Sequence, residues 1–359
     1  MRLSTTNIPC PSCGGSQVFL PSSRRLSCEF CHQESDIVSN SKVTTRDYLS
    51  SINTSTQESQ TKREVACKRC GASFVFKDRE FASRCPYCDT PTMIDPLQEI
   101  TPNALIPFTL SQRDAQKRFK IWVGSRWFAP NAFKEYLEEG KKLIGRYIPY
   151  WGYDTHTISH YQGERGDSYY VTVTKRVEVN GKMELRSVQE ERVSWSSASG
   201  VIDSDFRDVT VGATTTIDPN RLDSISPWHS SDMHPFDLRY ISGFKAEEYT
   251  IGLKDGFDRA KREIDSEIRY MVKSDIGGDY QRIHNISTEY NDIGYKALLF
   301  PIWSASFDWN NKTYEYAINA QTGKIVGERP YSYTKIALAV VGVAVVVGIG
   351  LYFGYYSGR

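Results

Sequence analysis

The 359-residue chain has almost no net charge: 44 Lys and Arg stand against 43 Asp and Glu, leaving +1. Such a balance gives no field that would draw nucleic acid to the whole molecule, so any binding of that kind has to be local. Cysteine is missing beyond Cys88, with all eight lying between Cys10 and Cys88. That excludes a disulfide framework spread through a secreted fold. Apolar runs of bilayer length are missing before Ile336, which excludes a multi-span transporter. The opening residues MRLSTTNIPCPSCGG lack the apolar stretch of an export signal. Catalytic signatures are missing as well. There is no G-x4-G-K-[ST] phosphate loop, no G-x-S-x-G elbow and no H-E-x-x-H helix. The sequence is therefore read as that of a non-enzyme that takes no nucleotide.

What is present begins with the cysteines. The spacing C-x2-C-x14-C-x2-C occurs twice, as Cys10, Cys13, Cys28, Cys31 and as Cys67, Cys70, Cys85, Cys88. The flanks repeat too: Gly14 with Val18-Phe19, then Gly71 with Val75-Phe76. A C-x2-C turn presents two thiolates to one ion, and two such turns joined by a hairpin make a tetrahedral S4 site, which selects zinc. Disulfides are disfavoured without export, and a single iron would need redox partners that nothing in the chain suggests. Two Zn2+ ions are expected. Both are expected to be structural, because four cysteines leave no open coordination position and modules this short draw their folding energy from the metal. His32, beside Cys31, is not needed as a ligand.

The two ribbons are placed at residues 1–34 and 65–95. Between them, residues 33–61 hold 17 Ser, Thr, Asn and Gln among 29. Such composition buries too little to offset its ordering entropy, so 35–64 is read as a flexible linker. Residues 1–95 carry 12 basic and 10 acidic side chains. With each Zn(Cys)4 centre formally −2, that region becomes net acidic, and the whole chain about −3. Phosphate binding usually shows a basic footprint, so protein recognition by the ribbons is favoured over nucleic acid.

Residues 96–330 contain 32 of the 45 aromatics, the material of a core. Ser111 and Asp114 resemble a capping box that opens a helix with Ala115, Phe119, Trp122 and Val123 at helical spacing. A second helix is expected after Pro130, with Phe133, Tyr136 and Leu137 on one face. A third is expected near 246–273, striped by Leu253, Phe257, Ala260, Ile264 and Ile268. Val171, Val173, Val177 and Val179 alternate up to Asn180-Gly181, a type I′ turn, and Met183 and Leu185 alternate back. Ile302–Asp308, Thr313–Asn319 and Lys324–Glu328 read as a meander. The echoing segments Ile148-Pro149-Tyr150-Trp151 and Phe300-Pro301-Ile302-Trp303 read as strands that open on proline. The expected fold is one α+β domain with a mostly antiparallel sheet.

Other polar clusters receive modest readings. His156, His160, His229 and His234 are taken as satisfied or exposed histidines rather than a further metal site. Asp203, Asp205 and Asp208 are read as an acidic loop, and the Tyr and Trp residues of 147–170 as core.

Ile336 to Tyr356 is 21 residues without a charge. At about 1.5 Å per residue it spans about 30 Å, the thickness of a bilayer core. Tyr331, Tyr333, Tyr352, Tyr355 and Tyr356 lie where interfacial aromatics belong. Lys324, Arg329 and Lys335 precede the run, and Arg359 follows it. The expectation is a single membrane helix at 336–356 and a tail-anchored protein at the cytoplasmic membrane, with its body in the cytoplasm. Gly350 with Gly354, and Ala344 with Gly348, could pack against another helix.

The double ribbon, LIPFTLSQRDA, APNAF…IPYWGYDT, FPIW…NAQTGKIVGERP and the terminal apolar run, in that order, resemble a bacterial family. Its members are filed as TFIIB-type zinc-ribbon-containing proteins or as primosomal protein N′/superfamily II helicase-like. The helicase label implies ATP binding, from which this chain departs, having no Walker A motif. The resemblance implies that the eight cysteines are the functional residues. It also implies a membrane-stress complex with a phage-shock-protein-A homologue and an SPFH-domain protein as partners. The function expected is a membrane adaptor that recruits proteins, and the alternative is a tethered nucleic-acid-binding factor.

Overall fold

The computed structural model describes residues 3–38, 41–52, 64–76, 79–95, 101–138, 143–179 and 182–357. The body uses one arrangement twice. In the first unit, β1 (Ala104–Leu105) leads through α1 (Gln112–Gly124) and α2 (Asn131–Glu138) to the antiparallel pair β2 (Ile144–Val179) and β3 (Lys182–Gly212). In the second, β4 (Lys245–Glu247) leads through α3 (Leu253–Ile276) to the antiparallel pair β5 (Tyr280–Trp309) and β6 (Lys312–Asn319). A short β7 (Ile325–Gly327) pairs with β6, and α4 (Tyr333–Ser357) follows.

The two units interlock at the pair Ile148↔Phe300, where β2 and β5 run antiparallel. Each lends its first strand to the other. β1 lies parallel to β5 through Ala104↔Leu298, and β4 lies parallel to β2 through Arg146↔Lys245. The hydrogen bonds correspond as well. The Trp151 indole donates to the Ile251 carbonyl and the Trp303 indole to the Leu110 carbonyl, each at 2.9 Å. The amides of Thr250 and Ile251 donate to the Ala213 carbonyl, and those of Thr109 and Leu110 donate to the Ala320 carbonyl. The sheet is mixed but mostly antiparallel, and with its helices the architecture is α+β with a dominant sheet.

This arrangement explains the proline echo, and it corrects the reading that proline opens each strand. Pro149 and Pro301 lie inside β2 and β5. Each sits where its strand changes neighbour. β2 leaves β4 at Tyr147 and joins β3 at Tyr150, while β5 leaves β1 at Leu299 and joins β6 at Ile302. The carbonyls of Pro149 and Pro301 accept from Ala213 and Ala320 at that edge. A strand residue points its N–H and C=O to the same side, so the missing donor falls in the gap between two partners, where no ladder bond is lost.

β2, β3 and β5 run on as a long three-stranded ribbon, and α3 packs along one face. Ile264, Ile268, Val272 and Ile276 meet Tyr161, Ala198, Ile202, Phe206, Ile283 and Ile286. The helix begins at Leu253 with Gly252 as its N-cap, seven residues later than its apolar stripe suggested, because Lys245–Glu247 is needed as a strand. Asp203 and Asp205 are in β3, not in a loop. They alternate with Ile202 and Phe206, so period-two geometry turns the acids to the open face and the apolar residues toward α3. Ser111 caps α1 as expected, accepting from the Asp114 amide. The β2–β3 register continues to Val179↔Lys182, as a two-residue connection requires, while Asn180-Gly181 lies outside the described residues. The side chains of Tyr136 and Leu137 lie outside them too.

The linker reading of 35–64 fails for its middle. Arg46–Asp47 pairs with Gly294 and Tyr295 of β5, and a short helix, Tyr48–Ser51, follows. Tyr48 is 4% exposed, with its ring 5.0 Å from that of Phe257. One buried aromatic and a strand register offset the entropy that the polar composition implied. Residues 39–40 and 53–63 lie outside the described residues.

Candidate metal centres and the apolar helix

The first cysteine set sits on a small sheet of Gln17–Leu20, Arg25–Cys28 and Glu34–Ser35. The second is framed by Glu64–Ala66, Ser73–Val75, Glu80–Arg84 and Pro91–Met93. All four C-x2-C turns are built alike. The amide after the second cysteine donates back to the carbonyl of the first: Gly14 to Cys10, His32 to Cys28, Gly71 to Cys67 and Asp89 to Cys85. Those four residues have positive φ, between 56° and 75°. Gly14 and Gly71 were legible as turn residues. His32 and Asp89 carry the same left-handed geometry without glycine, and both are types that tolerate it.

The turns bring the eight cysteines into two groups of four, Cys10, Cys13, Cys28, Cys31 and Cys67, Cys70, Cys85, Cys88. Within each, the sulfurs lie within 4.8 Å of one another. The spacings Cys10–Cys31 and Cys13–Cys28 are 3.6 and 3.5 Å; Cys67–Cys88 and Cys70–Cys85 are 3.7 and 3.9 Å. Four sulfurs about 2.3 Å from a central ion would stand about 3.8 Å apart, so the groups have the size of a tetrahedral thiolate site. They are far from the bond length of a disulfide, about 2.05 Å. Each group can therefore hold one metal ion.

The electrostatics fit a cation in the middle. The Cys31 amide holds the Cys28 thiol down at about 6. Burial pushes Cys88 up, but the Thr90 hydroxyl and amide outweigh it and bring the thiol to about 6. The Gln33 amide draws Cys31 down, yet its neighbouring thiols push it up to about 12. Cys70 behaves likewise: the Ala72 amide lowers it, while burial and the other sulfurs take it to about 11. Sulfurs this close do not all become thiolates unless a cation offsets their repulsion.

The ribbons are not free modules. The strand Glu80–Arg84 joins the body sheet through Ala82↔Ala246, and the Phe19 amide donates to the Ser242 carbonyl. Phe19, Val65 and Phe81 share one buried cluster with Phe108, Tyr147 and Phe244. The ribbons also touch each other: Arg84 pairs with Glu29 at 2.8 Å, and the Arg69 guanidinium lies 4.6 Å over the Phe30 ring. Spacing finds the ligands because ligation is local; nothing local announces that both hairpins dock on one core. At the rim, Phe30 and Tyr87 remain 52% and 69% exposed, inside the second C-x2-C turn of each ribbon.

The histidines do not converge. His156 sits on the open face of β2, with Nδ1 3.0 Å from Asp205 and Nε2 3.5 Å from Asp203. His160 is exposed. His234 pairs with Leu105, and His229 holds Gln321. Among the described residues, no further group of three or more His, Cys, Asp or Glu side chains gathers in the way the cysteines do.

Within α4, the segment Tyr333–Gly354 is long and apolar enough to cross a membrane. Its mean hydropathy is 2.6, and none of it is buried against the body. Gly342, Gly348, Gly350 and Gly354 have open space where a Cβ would stand.

The chain is similar to an uncharacterized protein of Bacillus subtilis (strain 168), YdjG. The two are 28% identical over 348 residues, which cover 93% of each chain. No protein-family model matches the chain, and no solved structure matches it.

Proposed function

We propose that this protein is a membrane-anchored adaptor: α4 crosses the bilayer, and two structural zinc ions shape a cytoplasmic platform that recruits protein partners. The observation that carries the reading is the mounting of the ribbons. They are fixed to the body and to each other, and each leaves one aromatic, Phe30 or Tyr87, open at its tip. Rigid, exposed aromatics beside an arginine suit protein contact, where Tyr and Arg carry much of the binding energy. Zinc is the metal that four thiolates of this size favour, and its reduced ligands suit the cytoplasmic side. The basic residues Lys324, Arg329 and Lys335 before the apolar run put the body on that side. The resemblance described above supplies candidate partners, a phage-shock-protein-A homologue and an SPFH-domain protein. The role is binding, without catalysis and without nucleotide.

A pull-down from detergent-solubilised membranes tests the reading. The wild-type chain is expected to return a stoichiometric protein partner, and Cys67→Ser/Cys70→Ser is expected to lose it. Equal recovery from both, or nucleic acid in place of protein, contradicts it.

A further inference from the structure

The connection between α1 and α2 is tied to the base of α4. The Ser332 amide donates to the Phe128 carbonyl at 2.8 Å. The Lys335 ammonium, in the first turn of α4, donates to the Ala129 carbonyl at 2.8 Å and to Asn131 Oδ1 at 2.7 Å. The same ammonium lies 5.8 Å over the Trp127 ring. These contacts hold Trp127 level with the point where α4 turns apolar.

The surface there has the composition of a membrane interface. Trp127 is 69% exposed and Ile121, on α1, 74%, while Tyr331 and Tyr333 stand beside them at 55% and 85%. An apolar groove of about 440 Å³ runs between the connection and α4, lined by Phe128, Tyr331, Ile336, Ala339, Val340 and Val343. Cations frame it. α1 exposes Arg113, Lys117, Arg118 and Lys120 against one acid, Asp114. The guanidinium of Arg126 lies over Trp122, and its buried Nε has no partner among the described residues. Tryptophan and tyrosine settle at the headgroup level, and Lys and Arg meet phosphates there.

We infer that the α1–α2 connection is a second membrane contact: Trp127 enters the headgroup layer of a phospholipid bilayer beside α4, and Arg126 and Lys335 meet its phosphates. The occupant of the groove is lipid, because the groove continues the surface of the membrane helix itself. Two contacts a fixed distance apart would hold the body at one orientation on the membrane, so the ribbons would be presented at a set height instead of swinging on a tether.

The inference rests on the anchor reading, and the test separates the two. Full-length protein is reconstituted into phosphatidylglycerol vesicles carrying acyl chains brominated near the headgroup. Tryptophan emission is compared for wild type and Trp127→Phe, and near-UV circular dichroism confirms that both are folded. Flotation after alkaline carbonate washing reports the anchor. The expected result is that both proteins float and that bromolipid removes a component of emission present in wild type and missing from Trp127→Phe. If both float and lose the same emission, the contact is refuted while the anchor stands. If neither floats, the anchor reading fails and the contact fails with it.

Discussion

The Lys296 ammonium sits between two carboxylates, 2.8 Å from Asp154 and 2.6 Å from Asp208, in a half-buried site where β2, β3 and β5 meet. Burial alone would raise the Asp154 carboxyl, but the Asp208 amide and Lys296 outweigh it and hold it below its ordinary value. Burial would lower Lys296, and the two acids instead raise it. The signs fix the pH window. The Asp154 contribution is present above its unfolded value of about 3.9 and lost as pH falls through the lower folded value. The Lys296 contribution is present below about 10.4 and lost as pH rises through the higher folded one. Lys296→Met leaves two facing acids without their cation. It is expected to cost about 3 kcal/mol at neutral pH, read from denaturant midpoints. The loss should shrink below about pH 4, where the acids are protonated; a loss that is constant with pH would mean Lys296 acts only through packing.

At the scale of elements, the zinc ribbons and the body share a core, so metal removal should reach beyond the hairpins. Phe19 lies 5.3 Å from the Tyr240 ring, and Glu80–Arg84 pairs with β4. Chelation at neutral pH is expected to lower the melting temperature of the whole body and to speed amide exchange at Ala246, two elements away from any cysteine. Exchange confined to residues 3–38 and 64–95 would show that the ribbons fold as separate modules. The same contrast explains what the sequence disclosed. The cysteine spacing, the Ser111 cap and the α3 stripe are local signals, and each was legible. The switch of neighbours at Pro149 and Pro301, the docking of Tyr48 and the strand placement of Asp203 and Asp205 depend on residues more than a hundred positions away or on a partner strand. Composition had called one of these a linker and another a loop, because polar residues on the open face of a strand look like loop residues until the pairing is known.

For the whole molecule, the account joins three parts: an interlocked body, two metal-shaped ribbons fixed to it, and a helix left uncovered by it. Near-zero net charge becomes negative once two Zn(Cys)4 centres are counted, which disfavours a phosphate-binding face on the ribbons. The claim that matters most is that the ribbon tips receive a protein at the membrane, and Tyr87 is the side chain through which to ask. A photo-crosslinking amino acid in place of Tyr87, in the full-length chain in intact cells, reports directly what touches that tip. The account predicts a discrete crosslink to one protein in the membrane fraction, absent when Cys67→Ser/Cys70→Ser is added. A crosslink to nucleic acid, or none in a protein that is folded and membrane-bound, would contradict it.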